Sequence, residues 1–163
     1  MKFQAIALPT LLLVAACAGT PDRYSALSAV EHAERGPRLA DSCGLWLGEV
    51  MDAREDYRAT SDLGGRRAHV LDVDAGMRRL LHGAGLGDHG DERDRIDIEV
   101  LSAHGSGLGI HIAFNVVVRA ASYRADVSIV RGRAVRASVP HAIAAAMADA
   151  RDTLVREWNL RCR

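Results

Sequence analysis

The chain has 163 residues, of which 48% are hydrophobic, 26% charged and 4% aromatic, and its 21 basic residues balance 21 acidic ones. This length fits one domain with a flanking segment. The zero net charge argues against a nucleic-acid-binding protein, which needs a basic excess. The apolar fraction argues against a disordered chain.

The first residues have the composition of an export signal. Lys2 is followed by an uncharged, mostly apolar run over residues 3–14 and then by small residues, which is the order found in a secretory signal peptide. The apolar run has about twelve residues, fewer than the roughly 20 that a helix needs to span a bilayer. We therefore expect a cleaved signal rather than a permanent membrane span.

The end of this signal, VAAC at residues 14–17, resembles the lipobox of bacterial lipoproteins. The resemblance implies cleavage before Cys17 and attachment of lipid, including palmitate, to Cys17. Ala18 follows, where lipoproteins kept at the inner membrane often have aspartate, so the same resemblance implies transfer to the outer membrane. The alternative is an ordinary signal peptide with a chance cysteine.

These features divide the chain into three parts. They are a signal peptide (residues 1–16), a lipidated cysteine with a tether and possible short helix (residues 17–40), and a single α+β periplasmic domain (residues 41–163). Residues 24–35 fit either a short helix in an ordered arm or a loose spacer, and Gly36-Pro37 ends this stretch.

Two further cysteines, Cys43 and Cys162, lie near the two ends of the predicted domain. In the periplasm disulfides persist, and we predict that these two form one. Neither cysteine belongs to a CxxC motif, which disfavours a metal site. The alternative is a pair of free thiols.

A strand is predicted around Leu45, Leu47 and Val50. A charged stretch follows, with Asp52, Arg54, Glu55, Asp56 and Arg58. A catalytic carboxylate pair would need one buried carboxylate, which alternating charges after a strand do not indicate. The stretch is interpreted as a solvated loop or, alternatively, as a partner-binding patch.

A short extended piece is expected at residues 68–71, and an amphipathic helix after it that Gly83 ends. The stripe of this helix comprises Val73, Met77, Leu80 and Leu81. Histidines and carboxylates cluster near the glycine-rich loop that follows, namely His82, Asp88, His89, Asp91, His104 and His111. Such side chains bind zinc, but no HExxH or CxxC motif fixes a geometry. We therefore predict a solvated loop, no metal site and no cofactor.

Three runs of alternating apolar residues predict an antiparallel meander with one buried face. The runs are Ile96, Ile98 and Val100; Leu108 to Val118; and Tyr123, Ala125, Val127 and Ile129, with a continuation through Val135 and Val139. Turns are expected at residues 105–107 and 131–133. The polar face of the second run carries His111, Asn115 and Arg119, and it is exposed, covered by the arm or used for binding.

A last helix begins at Pro140. Its apolar stripe comprises Ile143, Met147, Ala150, Leu154 and Trp158. The element order is β-α-β-β-β-α. The predicted fold is α+β, an antiparallel sheet of about four strands with two helices packed on one face.

A lipobox, DAR at residues 52–54, LHGAGL at residues 81–86 and three strands before a final helix resemble the YajG-like lipoproteins, over about residues 45–160. The resemblance implies a shape similar to the domain of outer-membrane lipoproteins that activate peptidoglycan synthases. A more distant similarity is to the auxiliary lipoproteins of envelope lipid transporters. It implies a fold and a compartment, not a reaction.

No GxSxG motif or paired nucleophile predicts an enzyme. We therefore expect a non-catalytic accessory or scaffolding lipoprotein of the bacterial cell envelope, anchored by lipid to the periplasmic face of the outer membrane and acting through protein partners. The alternative is a periplasmic ligand-binding module for envelope glycan, lipid or metal.

Overall fold

The computed structural model describes residues 20–33, 35–55, 61–63, 66–108, 111–122 and 125–162. Within these ranges lie seven β-strands, three α-helices and three short 3-10 segments. The strands are β1 Asp22–Ser25, β2 Trp46–Asp52, β3 Ser61–Leu63, β4 Arg66–Leu71, β5 Arg95–Leu108, β6 His111–Ser122 and β7 Ala125–Arg136. The helices are α1 Ala26–Ala29, α2 Val73–Gly83 and α3 Val139–Arg161, and the 3-10 segments are Val30–His32, Asp41–Cys43 and Glu92–Asp94.

The seven described strands form one mixed sheet. Six of them follow the order β1-β4-β3-β5-β6-β7, and β2 pairs with β5 outside this order. β5, β6 and β7 are antiparallel neighbours, which confirms the predicted meander. β2 and β3 both run parallel to β5 on its other side, β2 along the first half and β3 along the second. β1 runs parallel to β4.

The predicted sheet of about four antiparallel strands with two helices is therefore wrong. The arm contributes an edge strand, β1, and the polar segment after β2 contributes β3 and β4, of three and six residues. The extended piece expected at residues 68–71 is part of β4, whereas β1 and β3, of four and three residues, show too few alternations to be recognised in a sequence. β2 and β5 are parallel because the connection between them contains α2, and a crossover of this kind brings the chain back in the same direction.

The core lies between one face of the sheet and the helices, and both predicted helical stripes are buried in it. The sheet supplies the inner side chains of β5 and β6, including Ile96, Ile98, Phe114 and Val116, each no more than 2% exposed. Gly76 of α2 lies against the backbone of Ala26, so that α1 and α2 pack closely. The predicted alternation is thus confirmed over residues 96–100 and 112–118, while the side chains of Leu108 and Ile110 lie outside those that the structure describes.

The alternation predicted for β7 has the opposite phase. Val127, Ile129 and Val135 were expected in the core, but they are 57%, 61% and 48% exposed. The inward positions hold Val130 and three smaller residues, Ser128, Gly132 and Ala134. The reason is the proximity of α3, because a Cβ at Gly132 would overlap the carbonyl oxygen of Ala146 and lie 2.6 Å from the backbone nitrogen of Ala150.

The turns predicted at residues 105–107 and 131–133 are also wrong, since both segments lie within strands. Gly105 pairs with Phe114, and a Cβ at this position would overlap Leu63 and approach the Phe114 ring to 2.7 Å. Glycine inside a strand marks a close approach of other atoms as often as a bend. Here it admits a large ring on the neighbouring strand.

Candidate functional site

The predicted signal peptide and Cys17 lie outside the described residues, as do Asp56 and Arg58 of the charged stretch. Among the helices in the described ranges, none is long and apolar enough to cross a membrane. The first described residues already belong to the domain, because β1 begins at Asp22.

The predicted disulfide is confirmed. Cys43 and Cys162 are bonded, with their Cα atoms 5.1 Å apart and a sequence separation of 119 positions. Asn159 adds a second connection between the arm and α3, since its side-chain oxygen accepts from the Ala40 N–H (2.8 Å) and its Nδ2 donates to the Arg38 carbonyl (2.9 Å). The segment over residues 38–43 is therefore fixed to the last turns of α3 by one covalent bond and two hydrogen bonds.

The charged stretch after β2 is partly engaged in the fold. The Arg54 guanidinium makes a two-point contact with the Asp52 carboxylate (2.7 and 2.6 Å) and donates to the Val70 carbonyl of β4 (3.0 Å). The Arg54 side chain is only 9% exposed, whereas Glu55 is exposed. Arg54 thus connects the end of β2 to β4.

The histidines of the glycine-rich segment are dispersed rather than gathered around one point. His82 Nδ1 lies 2.9 Å from the Leu86 carbonyl, and its Nε2 lies 3.2 Å from the Asp88 carboxylate. Asp88 also pairs with Arg78 at 3.6 Å. In the part of the chain that the structure describes, no three His, Cys, Asp or Glu side chains are arranged to hold a metal ion.

Sequence reasoning missed a polar cluster where β2 meets β5. Arg95 lies over the Trp46 ring, 5.9 Å from its centre, and donates to Asp97 at 2.9 Å. The hydrogen bond and then the negative charge of Asp97 raise the pKa of Arg95. Asp97 also accepts from the Glu49 N–H at 2.7 Å, so the cluster stabilises the parallel pairing of the two strands.

Three of the exposed large apolar side chains of the described residues lie on the outer face of the sheet. We define the open face as the outward side of β6 and β7, with Val127, Ile129 and Val135 as its apolar part. Arg131 and Arg133 are exposed on the same side of β7, and their guanidinium groups have no carboxylate partner among the described residues. The alternation of β7 was visible in the sequence, but its phase was not.

The predicted polar residues of β6 lie on this open face. His111 is exposed and Asn115 is half-buried, while Arg119 forms an ion pair with Glu99 of β5. Within the described part of the chain, the cations of the open face that lack a carboxylate partner are therefore those of β7. Exposed apolar residues beside unpaired cations fit an acidic, partly apolar surface of another molecule.

The edge of the sheet next to the open face is partly protected. The Arg133 N–H donates to the Asp149 carboxylate of α3 at 3.0 Å, which satisfies a backbone donor in the middle of the outer edge of β7. Protection of this kind discourages pairing with another strand. Contact through the face is thus favoured over extension of the sheet.

No family model matches the chain, and no curated protein sequence matches it. Among solved structures, the chain is similar to protein XCC0632 from Xanthomonas campestris, described as family-model DUF330, with 16% sequence identity and a TM-score of 0.46. The similarity covers 86% of this chain and 95% of that chain. The resemblance to the YajG-like lipoproteins rests on the sequence motifs alone.

Proposed function

We propose that this protein is a lipid-anchored, non-catalytic accessory protein of the bacterial cell envelope that binds a protein partner through the open face. The observation that carries the proposal is the reversed phase of β7, which leaves Val127, Ile129 and Val135 exposed to solvent. A fold that gained nothing from an apolar outer stripe would be expected to carry polar residues there.

The chemistry of the open face supports a partner with an acidic, partly apolar surface. Arg131 and Arg133 stand among the apolar side chains without an ion-pair partner in the described part of the chain, so the partner should present carboxylates beside an apolar centre. Charges at the rim of such an interface mainly set the rate of association and the choice of partner. The apolar side chains would supply the buried centre.

The proposed anchor is the lipid on Cys17, at the periplasmic face of the outer membrane. Asp22, the first residue of β1, follows Cys17 by five positions, and an extended chain covers at most about 3.6 Å per residue. The β1 edge would then lie within about 18 Å of the lipid. Two or more acyl chains hold a protein stably at a membrane, whereas one does not.

The proposed mechanism is tethering of the domain to the membrane through the lipid. β7 lies at the other end of the strand order from β1, five strand spacings of about 4.8 Å away. The anchor would hold one edge at the membrane while the open face extends from it. Confinement to the membrane surface raises the effective concentration of the domain near a partner in the same layer.

Photocrosslinking in cells tests the proposal. A photoreactive residue at position 129, on the open face, is expected to capture one envelope protein. The same residue at position 160, where Leu160 is 68% exposed on α3, is the matched control and should capture none specifically. The yield at position 129 should fall several-fold with Arg131→Glu and with Cys17→Ala, the second of which should also abolish palmitate labelling.

Two results would reject the proposal in different ways. The same products from positions 129 and 160 would reject the open face as a binding surface. Undiminished palmitate labelling of the Cys17→Ala variant would reject the anchor and leave the open face untouched.

A further inference from the structure

A cavity of about 340 Å³ lies between the sheet and the last turn of α3, beside the disulfide. Its walls come from the start of β5, the end of β6, the start of β7 and the segment around Cys43. The cavity exists because sheet residues near the end of α3 have small side chains, with Ala120 and Ser128 facing inward. The end of the core is therefore left incompletely filled.

The inner wall of the cavity is apolar. Leu45, Ile96 and Trp158 line it, and Ile96 and Trp158 are only 2% and 5% exposed. A wall of this kind favours an apolar body over water, because water needs polar partners to occupy a cavity stably. Ligand cavities in proteins commonly combine such walls with a few placed polar groups.

The described residues that line the cavity have a net positive charge. Among them, Arg93 and Arg161 are cationic and Asp94 is the one carboxylate. Arg161 Nη2 donates to the buried Ser128 hydroxyl at 3.2 Å, and neither arginine has a carboxylate partner among the described residues. The guanidinium of Arg161 thus lies across from Ser128 with donors to spare.

We propose that this cavity is a binding site for a small amphipathic anion, whose apolar body contacts Trp158 and whose carboxylate or phosphate is bound by Arg161 and Arg93. A volume of about 340 Å³ lies at the lower end of the range found for small-molecule sites, which suits a small ligand. Hydrogen bonds from arginine to an anion are among the strongest in proteins. The site is separate from the open face, and binding of this anion would be a second function of the protein.

Tryptophan fluorescence gives a direct test. The chain has two tryptophans, so Trp46→Phe leaves Trp158 in the cavity wall as the only reporter. Titration of the purified full chain with octanoate or octyl phosphate should change Trp158 emission saturably. Octan-1-ol, which has the same apolar body without the charge, should bind at least tenfold more weakly.

Two arginines of α3 provide matched variants. Arg161→Gln is expected to weaken anion binding about tenfold or more, the usual effect of losing a hydrogen bond to a charged group. Arg156→Gln changes an exposed arginine on the same helix outside the cavity and should leave binding unchanged. Equal effects of the two variants, or equal binding of octanoate and octan-1-ol, would overturn the proposal.

A cavity-filling variant tests the site without the tryptophan change. Ala120→Leu places a larger side chain in the cavity wall and should abolish the thermal stabilisation that octanoate gives the parent protein. Circular dichroism would verify that each variant is folded. Stabilisation of a folded Ala120→Leu variant equal to that of the parent would place the ligand elsewhere and reject the site.

Discussion

Gly132 is a point where the packing of α3 on the sheet leaves no space for a side chain. A Cβ at this position would overlap the Ala146 carbonyl oxygen and lie 2.6 Å from the Ala150 nitrogen and 2.9 Å from its Cβ. The nearest obstacles are backbone atoms of a 23-residue helix, which cannot rotate away as a side chain can. Gly132→Ala therefore has to displace part of α3.

The cost follows from what this displacement involves. Overpacking a core with one extra group costs about 1–3 kcal/mol, and moving the helix also weakens dispersion contacts along its buried stripe. We expect Gly132→Ala to lower the free energy of unfolding by about 3 kcal/mol. For a domain of this size the melting temperature should fall by about 6–12 °C.

Gly83→Ala is the matched control, because it makes the same chemical change at the end of α2, where a Cβ would meet nothing within 4 Å. Alanine is favoured over glycine in a helix by about 0.5–1 kcal/mol, so this variant should be neutral or stabilised. Guanidinium unfolding followed by circular dichroism measures both. A Gly132→Ala variant whose free energy of unfolding lies within about 0.5 kcal/mol of the parent's would refute the backbone contact. Rescue of the variant by Ala150→Gly would also refute it, because that change removes only the Ala150 side chain.

Two further predictions concern the contacts that fasten the arm and β2. Replacing Cys43 and Cys162 by serine removes a disulfide with a sequence separation of 119 positions. The chain-entropy model gives a loss of stability of at most about 5 kcal/mol. A loss below about 1 kcal/mol in guanidinium unfolding would contradict this reasoning. Arg54→Met removes the donors to both Asp52 and Val70 and should cost about 1–3 kcal/mol, with Glu55→Gln as a control near zero. An Arg54→Met variant as stable as that control would show that the contact adds nothing.

The parts of the fold that could be predicted from the sequence are those set by long apolar patterns. The stripes of α2 and α3 and the alternation of β5 and β6 bury side chains over many residues, so chance patterns are improbable. The charge pattern after β2 gave no sign that Arg54 folds back onto β4. That contact depends on where another strand passes, which local sequence does not determine.

The errors have a common physical cause in close approach between distant elements. The sequence predicts turns at Gly105 and Gly132, yet each glycine provides space for atoms from another element. The phase of β7 was read from the larger apolar residues, whereas α3 lies so near that small residues face inward. The cavity lined by Ser128 and Trp158 could not be predicted from the sequence either, because it depends on how the ends of the strands and of α3 pack together.

The disulfide also has a consequence for the order of events during biogenesis. An exported chain that crosses the inner membrane from its N-terminus delivers Cys43 119 residues ahead of Cys162. On the proposed export route, Cys43 would lack its disulfide partner in an oxidising compartment until α3 has arrived, and its thiol would be open to exchange with other thiols and disulfides. Closure of the bond would then be a late step in folding, and a chain cut short before Cys162 would keep Cys43 without its disulfide partner.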